Sequence, residues 1–188
     1  MISTADFKTG LTILYDNNIY QIIEFLHVKP GKGQAYVNSK LKNLRTGATI
    51  DYTFRAGEKM KQANIERVKM QYLYRTDNTF VFMNQDTYDQ VEINLNQISE
   101  EAKYLYETLE VEIIYFERSE ILGLVLPDKI SLTVTETVPG VKGDTKTNAL
   151  KDAVLETGLL VKVPLFINQG EKIIISTQDG SYVARDNR

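Results

Sequence analysis

The chain has 188 residues, of which 43% are hydrophobic and 25% are charged, a composition typical of globular proteins. It has no cysteine, which excludes disulfides and thiolate sites, and its single histidine, His27, excludes a multi-histidine metal centre. No run of about 18 apolar residues is present, so no membrane span is predicted. The missing cysteines fit the reducing cytoplasm, where we expect the protein to act.

The net charge of −3 is distributed unevenly along the chain. Residues 1–63 carry nine Lys/Arg against five Asp/Glu, residues 64–127 carry five against twelve, and residues 128–188 carry eight of each. A basic first third can face phosphates, whereas the acidic middle is repelled by RNA and is expected to face solvent or protein. The candidate phosphate contacts in the basic third are Lys29, Lys40, Lys42, Arg45 and Arg55. The alternative for these residues is an ordinary set of solvated charges.

Short apolar segments separated by turn residues recur along the chain and predict an all-β protein. In chain order the predicted strands are 12–15, 19–23, 49–54, 70–74, 79–83, 111–116, 130–135, 159–163 and 172–176. Residues 16–18 and 77–78 are predicted hairpin turns. One helix is predicted around 99–107, with Ser99 or Asn96 as its cap.

Strands of this length suggest small closed barrels of about 60 residues each. We therefore expect three domains, 1–63, 64–127 and 128–188, with joints at 61–63 and 126–128. No low-complexity linker separates them, which predicts a semi-rigid rod.

The segment from Lys29 to Ala35 places Lys32 between two glycines at what we predict to be a hairpin tip. Pro30 suits the second position of a β-turn, and Gly31 is expected to supply the positive φ that a type II turn needs at its third. Gly33 has no Cβ, so the finger stays thin. Taken alone, the segment favours an exposed hairpin with a solvated lysine. The functional alternative is a cationic finger that enters an anionic site of RNA.

Motifs for catalysis are missing from the sequence. The tip does not match a phosphate-binding P-loop, because Gly33 leads into a strand and no Ser/Thr follows Lys32. Carboxylate pairs such as Glu110/Glu112 and Glu117/Glu120 are common on exposed strands. We therefore expect neither an enzyme nor a metal or cofactor site.

Several segments, in this order, make the chain resemble the bacterial elongation factor P family over essentially its full length. They are residues 6–10, 27–33, 40–47 and 53–55, followed by 156–158, 163–167, 170–171 and 179–185. The resemblance implies a KOW-like first barrel and two OB-like barrels in an L shaped like tRNA. It further implies a monomeric cytoplasmic translation factor that binds both ribosomal subunits between the peptidyl and exit sites, contacts peptidyl-site tRNA and rRNA, and relieves stalling at consecutive prolines.

The resemblance also assigns roles to individual residues. Lys32, flanked by Pro30, Gly31 and Gly33, would reach toward the peptidyl-transferase centre and would be the target of a lysine-modifying enzyme. A loop at Gly143, Asp144 and Thr145 would approach the exit-site codon on the small subunit. Tyr182 and Arg185 would lie near the peptidyl-site tRNA and the small subunit.

Two other functions remain open from the sequence. One is a generic OB/KOW RNA-binding protein that stacks bases on its aromatic residues and does not depend on Lys32. The other is a metabolic enzyme with lysine chemistry at residue 32, which an exposed tip disfavours because a lysine amine is activated by burial.

Overall fold

A computed structural model describes residues 1–140 and 149–188. These residues form sixteen strands and three short 3₁₀-helices, without an α-helix, which confirms the predicted all-β class. The chain divides into two compact units, residues 1–67 with 114–122, and residues 68–113 with 123–188. Within the described ranges, no helix is long and apolar enough to cross a membrane.

The first sheet has six strands in the order β1-β6-β2-β3-β4-β5, all antiparallel. They are β1 (Ile2–Ser3), β2 (Thr12–Tyr15), β3 (Asn18–Val28), β4 (Tyr36–Asn43), β5 (Thr49–Arg55) and β6 (Lys59–Gln62). The turn between β2 and β3 is made by Asp16 and Asn17, both at positive φ, which matches the hairpin predicted there.

The core of this sheet is built from the alternate residues that each strand turns inward. In β4, Val37, Ser39, Leu41 and Asn43 are buried, and the side chains between them are more exposed. Phe54 of β5 is fully buried, and burial of a side chain of this size stabilises the fold by about 1.5–3 kcal/mol. The Ser39 hydroxyl donates to the backbone oxygen of Tyr52 at 2.7 Å, so this buried polar group is satisfied.

A β-bulge interrupts the pairing of β3 with β4. Ile22 pairs with Leu41 and Glu24 pairs with Lys40, so Ile23 is the extra residue on β3. The extra residue shifts the alternation by one, because Ile22 points inward and Glu24, two residues later, points outward. Beyond the bulge the pairing continues without interruption to Val28 and Tyr36.

The second sheet has the order β11-β10-β7-β8-β9. Its strands are β7 (Ile65–Thr76), β8 (Thr79–Met83), β9 (Gln90–Asn94), β10 (Glu110–Phe116) and β11 (Glu120–Val125). Asp77, at φ 50°, lies in the β7–β8 turn where a hairpin was predicted.

The helix predicted around 99–107 is wrong. That region holds the short 3₁₀-helices Leu95–Gln97 and Glu101–Tyr104, and the first is capped by Asn94, whose side chain accepts from the Asn96 amide at 3.1 Å. The second ends because Leu105 turns to an extended conformation and is buried. The Thr108 amide then donates to the Tyr72 oxygen of β7 at 2.9 Å. Tertiary pairing therefore overrides a helical pattern that is too short to persist alone.

The third sheet has the order β14-β13-β12-β15-β16. Its strands are β12 (Lys129–Thr137), β13 (Leu150–Leu155), β14 (Leu160–Pro164), β15 (Lys172–Ser176) and β16 (Tyr182–Arg185). The edge strands β14 and β16 lie close together, so this sheet curls toward closure. Leu132, Val163 and Ile173 are fully buried inside it.

Candidate functional site

The predicted tip is the loop between β3 and β4, residues 29–35. Lys29, Pro30 and Lys32 are exposed, as are both glycines. The loop closes a hairpin whose first strand, β3, has 11 residues, or roughly 36 Å at about 3.3 Å per residue. The hairpin therefore carries the Lys32 amine at the end of a long, paired arm.

The roles of the two glycines differ from the prediction. Gly33 has a φ of 102°, whereas Gly31 does not have a positive φ. The type II turn with Gly31 at its third position is therefore wrong, and Gly33 is the residue that requires the conformational freedom of glycine. A Cβ added at either position would meet no atom within 4 Å. The loop is consequently uncrowded at both glycines.

Two of the five predicted phosphate contacts lie on the outer face of β4. Lys42 is exposed and is opposite Thr49 of β5. Lys40 pairs with Glu24 on one side and with Asp51 on the other, so an acidic residue lies beside it on each neighbouring strand. Cross-strand pairs of opposite charge attract. This row of three side chains therefore has a net negative charge, and Lys40 contributes less to a basic surface than its sequence position indicates.

Arg55 lies closer to the tip than Lys40, Lys42 and Arg45 do. It is exposed and pairs with Tyr36, the first residue of β4 after the tip. Because Tyr36 also pairs with Val28, Arg55 belongs to the row of side chains immediately below the Lys32 loop. Arg55, Lys29 and Lys32 thus give this end of the arm three cations.

Arg45 is engaged by other residues of its own unit. Its Nε and Nη2 each donate to the Glu120 carboxylate at 3.0 Å, and its Nη1 donates to the Asn17 oxygen at 2.8 Å. The guanidinium also lies 6.0 Å from the centre of the Phe116 ring. Hydrogen bonding to Glu120 raises the pKa of Arg45 above its usual value. The guanidinium is thus already bound by Glu120 and by the Asn17 backbone oxygen.

Tyr182 and Arg185, the predicted contacts of the C-terminal part, both lie on β16. Arg185 donates from Nη2 to the Phe166 oxygen at 2.8 Å and pairs its Nε with Glu171 at 3.2 Å. Its guanidinium stacks 4.5 Å from the centre of the Phe166 ring, a favourable cation–π geometry. Gly143, Asp144 and Thr145 lie outside the described residues.

Sequence reasoning missed the partners of the two arginines. Glu120 is 75 residues from Arg45, and no local spacing links the two. Glu171 and Phe166 lie within motifs that resemble the family, but their pairing with Arg185 depends on the fold of the third sheet. Among residues 1–140 and 149–188, no group of three His, Cys, Asp or Glu side chains is placed to hold a metal ion.

Three family models match the chain in succession. They are described as the elongation factor P (EF-P) KOW-like domain over residues 3–60, the elongation factor P (EF-P) OB domain over residues 65–123, and the elongation factor P C-terminal domain over residues 130–185. The chain is also 63% identical to elongation factor P of Phytoplasma australiense and 62% identical to that of onion yellows phytoplasma (strain OY-M). Each match covers 100% of this chain and 99% of the relative.

Solved structures support the fold. Eukaryotic translation initiation factor 5A from Methanococcus jannaschii superposes with a TM-score of 0.50 at 22% identity, over 65% of this chain and 86% of that one. A translation initiation factor eif-5a family protein from Naegleria fowleri superposes with a TM-score of 0.54 at 18% identity, over 66% of this chain and 96% of its own. Because its whole length matches in sequence and its domains match in order, the chain belongs to the elongation factor P family of translation elongation factors.

Proposed function

We propose that the protein binds the ribosome between the peptidyl and exit sites and promotes peptide-bond formation at consecutive prolines. The observation that carries this proposal is the exposed Lys32 at the end of the β3–β4 arm, on a finger kept slim by Gly33. In this proposal Lys32 reaches toward the peptidyl-transferase centre and is the substrate of a lysine-modifying enzyme. The protein acts as a cytoplasmic monomer.

The physical basis of the proposal is positioning. Proline fixes its own φ and lacks a backbone N–H, so a nascent chain that ends in prolines can hold an unproductive pose. A bound factor that orders the peptidyl-tRNA beforehand reduces the entropy that is still to be lost on reaching the transition state. Such a factor needs reach and a cationic tip, and it needs no catalytic group of its own because the ribosome performs the reaction.

The remaining predicted contacts take their place in the same proposal. Lys29, Lys40, Lys42 and Arg55 would contact phosphates of peptidyl-site tRNA or rRNA, with Lys40 the weaker because of its acidic neighbours. Tyr182, Arg185 and the loop at 143–145 would dock the other end on the small subunit and exit-site codon.

The three-domain division also stands as a proposal. The ranges 1–63, 64–127 and 128–188 are supported by the strands, since each range carries one of the three sheets.

Translation in vitro of two matched reporters, one with three consecutive prolines and one without proline, tests the function. We expect natively modified wild-type protein to speed the proline reporter, and the Lys32→Ala variant to fail there while leaving the other reporter unchanged. Lys59→Ala removes another exposed lysine of the same sheet and serves as the matched control. The Lys32→Ala variant should fold, since a substitution of a solvated surface residue changes stability by only about ±0.5 kcal/mol. Equal rescue by wild type and Lys32→Ala would remove Lys32 from the mechanism and favour a generic RNA-binding role.

A further inference from the structure

We infer that the β10–β11 hairpin clamps the first sheet through Arg45, and that Arg45 is a positioning residue for the Lys32 arm. The clamp is defined here as Arg45 with the hairpin residues Phe116 to Glu120. This inference rests on the proposed function for its effect on translation, but its structural part stands without it. All of its residues belong to the same compact unit as Lys32.

The Arg45 side chain bonds to two separate parts of its unit, the β10–β11 hairpin and the β2–β3 turn. Its two hydrogen bonds to the Glu120 carboxylate form a planar fork, the geometry in which arginine and carboxylate fit best. Its third bond, to the Asn17 oxygen, reaches the β2–β3 turn of the first sheet. The three bonds together tie the hairpin, the β2–β3 turn and the end of β4 to one side chain.

The hairpin turn itself is held in an unfavourable conformation. Glu117 and Arg118 have φ values of 50° and 59°, which side chains other than Gly, Asn and Asp rarely adopt. Residues of this kind persist where their surroundings hold them in place. Here the Glu117 amide donates to the Asn64 oxygen at 3.0 Å, and Arg118 Nε donates to Glu66 at 3.0 Å. Both central residues of the turn are therefore fastened to the chain at the start of β7, within the same unit.

The position of Arg45 connects the clamp to the tip. The Asn43 side-chain oxygen, at the end of β4, accepts from the amides of Arg45 and Thr46 at 2.9 and 3.2 Å. β4 then runs eight residues, or roughly 26 Å, to Tyr36 beside the Lys32 loop. A strand paired on both sides transmits orientation well, so fixing its Arg45 end fixes the direction of the Lys32 end.

The clamp and a phosphate contact at Arg45 predict opposite effects of Glu120. If Arg45 binds phosphate, Glu120 competes for its guanidinium, and Glu120→Ala should preserve or strengthen ribosome binding. If Arg45 positions the arm, Glu120→Ala should be as damaging as Arg45→Ala. The charge-exchanged double variant, Arg45→Glu with Glu120→Arg, should restore function in the second case and not in the first.

The experiment measures two quantities on the full chain, hydrogen exchange of the Glu117 amide and rescue of the three-proline reporter. We expect each single variant to speed that exchange by about two- to fivefold, the range for a half-exposed ion pair, and to lower rescue. The double variant should recover most of both. Lys103→Ala, which breaks an exposed pair with Glu100 in the other unit, is the matched control and should change neither.

Two results would overturn the inference. Unchanged Glu117 exchange in both single variants would mean that no clamp exists. Normal rescue by Glu120→Ala, together with lost rescue by Arg45→Ala, would make Arg45 a direct RNA contact. Failure of the wild type to rescue the proline reporter would instead refute the proposed function, and the exchange measurement would still decide whether the clamp exists.

Discussion

The different backbone conformations of the two tip glycines predict different costs of adding a methyl group. Gly33 is at φ 102°, in the half of conformational space that L-residues avoid, and Gly31 is not. A Cβ at either position would meet no atom within 4 Å, so steric contact contributes nothing to the difference. The backbone conformation alone decides it.

The magnitude follows from these two facts. Alanine held in the left-handed region costs about 1–2 kcal/mol, so Gly33→Ala should destabilise the protein by about that amount. Gly31→Ala should be neutral or stabilising by up to about 1 kcal/mol, because alanine loses less chain entropy on folding than glycine. For a chain of this length, about 2–4 °C accompanies each kcal/mol, which places the melting temperature of Gly33→Ala about 2–8 °C below that of wild type.

Calorimetric unfolding of wild type, Gly31→Ala, Gly33→Ala and Gly33→Asn tests this reasoning. Asparagine tolerates positive φ better than alanine, so Gly33→Asn should fall between wild type and Gly33→Ala. If Gly31→Ala were as destabilising as Gly33→Ala, or if Gly33→Asn were the worst of the three, the assigned roles of the glycines would be refuted.

Two further predictions concern other buried or crowded positions. The Tyr15 hydroxyl lies 2.6 Å from that of Tyr52, and this hydrogen bond raises the pKa of Tyr15. The stability that the hydrogen bond contributes is therefore fully present below the ordinary tyrosine pKa, and it is lost as the pH rises through the raised pKa. Tyr52→Phe should therefore lower the free energy of unfolding by about 1 kcal/mol at neutral pH. It should also lower the pKa of Tyr15 in an ultraviolet titration and reduce the loss of stability at alkaline pH. An unchanged titration of Tyr15 would contradict this prediction. A Cβ at Gly140 would lie 2.6 Å from the Leu165 oxygen, so Gly140→Ala should lower the free energy of unfolding by about 1–3 kcal/mol in denaturant titrations. Gly123→Ala, where the added Cβ meets no atom within 4 Å, is its control, and an equal effect of both would remove the steric explanation.

The strands were predictable where a run of at least three apolar residues lay beside a turn. The predicted 12–15, 79–83 and 172–176 coincide with β2, β8 and β15. β6 was missed because Met60 is its one apolar residue, and its pairing with β1 and β2 stabilises it. The helical pattern at 99–107 failed for the same reason, since burial of Leu105 and pairing at Thr108 decide its conformation.

For the candidate site, sequence reasoning located the tip correctly but not its internal geometry. That Lys32 is exposed between two strands followed from the local pattern. Which glycine takes the positive φ depends on how β3 and β4 twist into the loop, which composition does not encode. The partners of Arg45 and Lys40 also required the fold, because Glu120 and Asp51 reach them from other strands.

The uninterrupted pairing beyond the bulge at Ile23 restricts how the length of the Lys32 arm can vary among related chains. Removing Ile23 itself would leave Glu24 opposite Lys40 on the outer face, whereas removing one residue beyond the bulge would turn every later side chain of β3 to the opposite face. Length changes above the bulge are tolerated only as whole two-residue repeats in both strands, each moving the tip by roughly 6.6 Å. The distance from the bulge to the tip can therefore change only in steps of one two-residue repeat. Relatives that differ in reach should differ by even numbers of residues between the bulge and the loop.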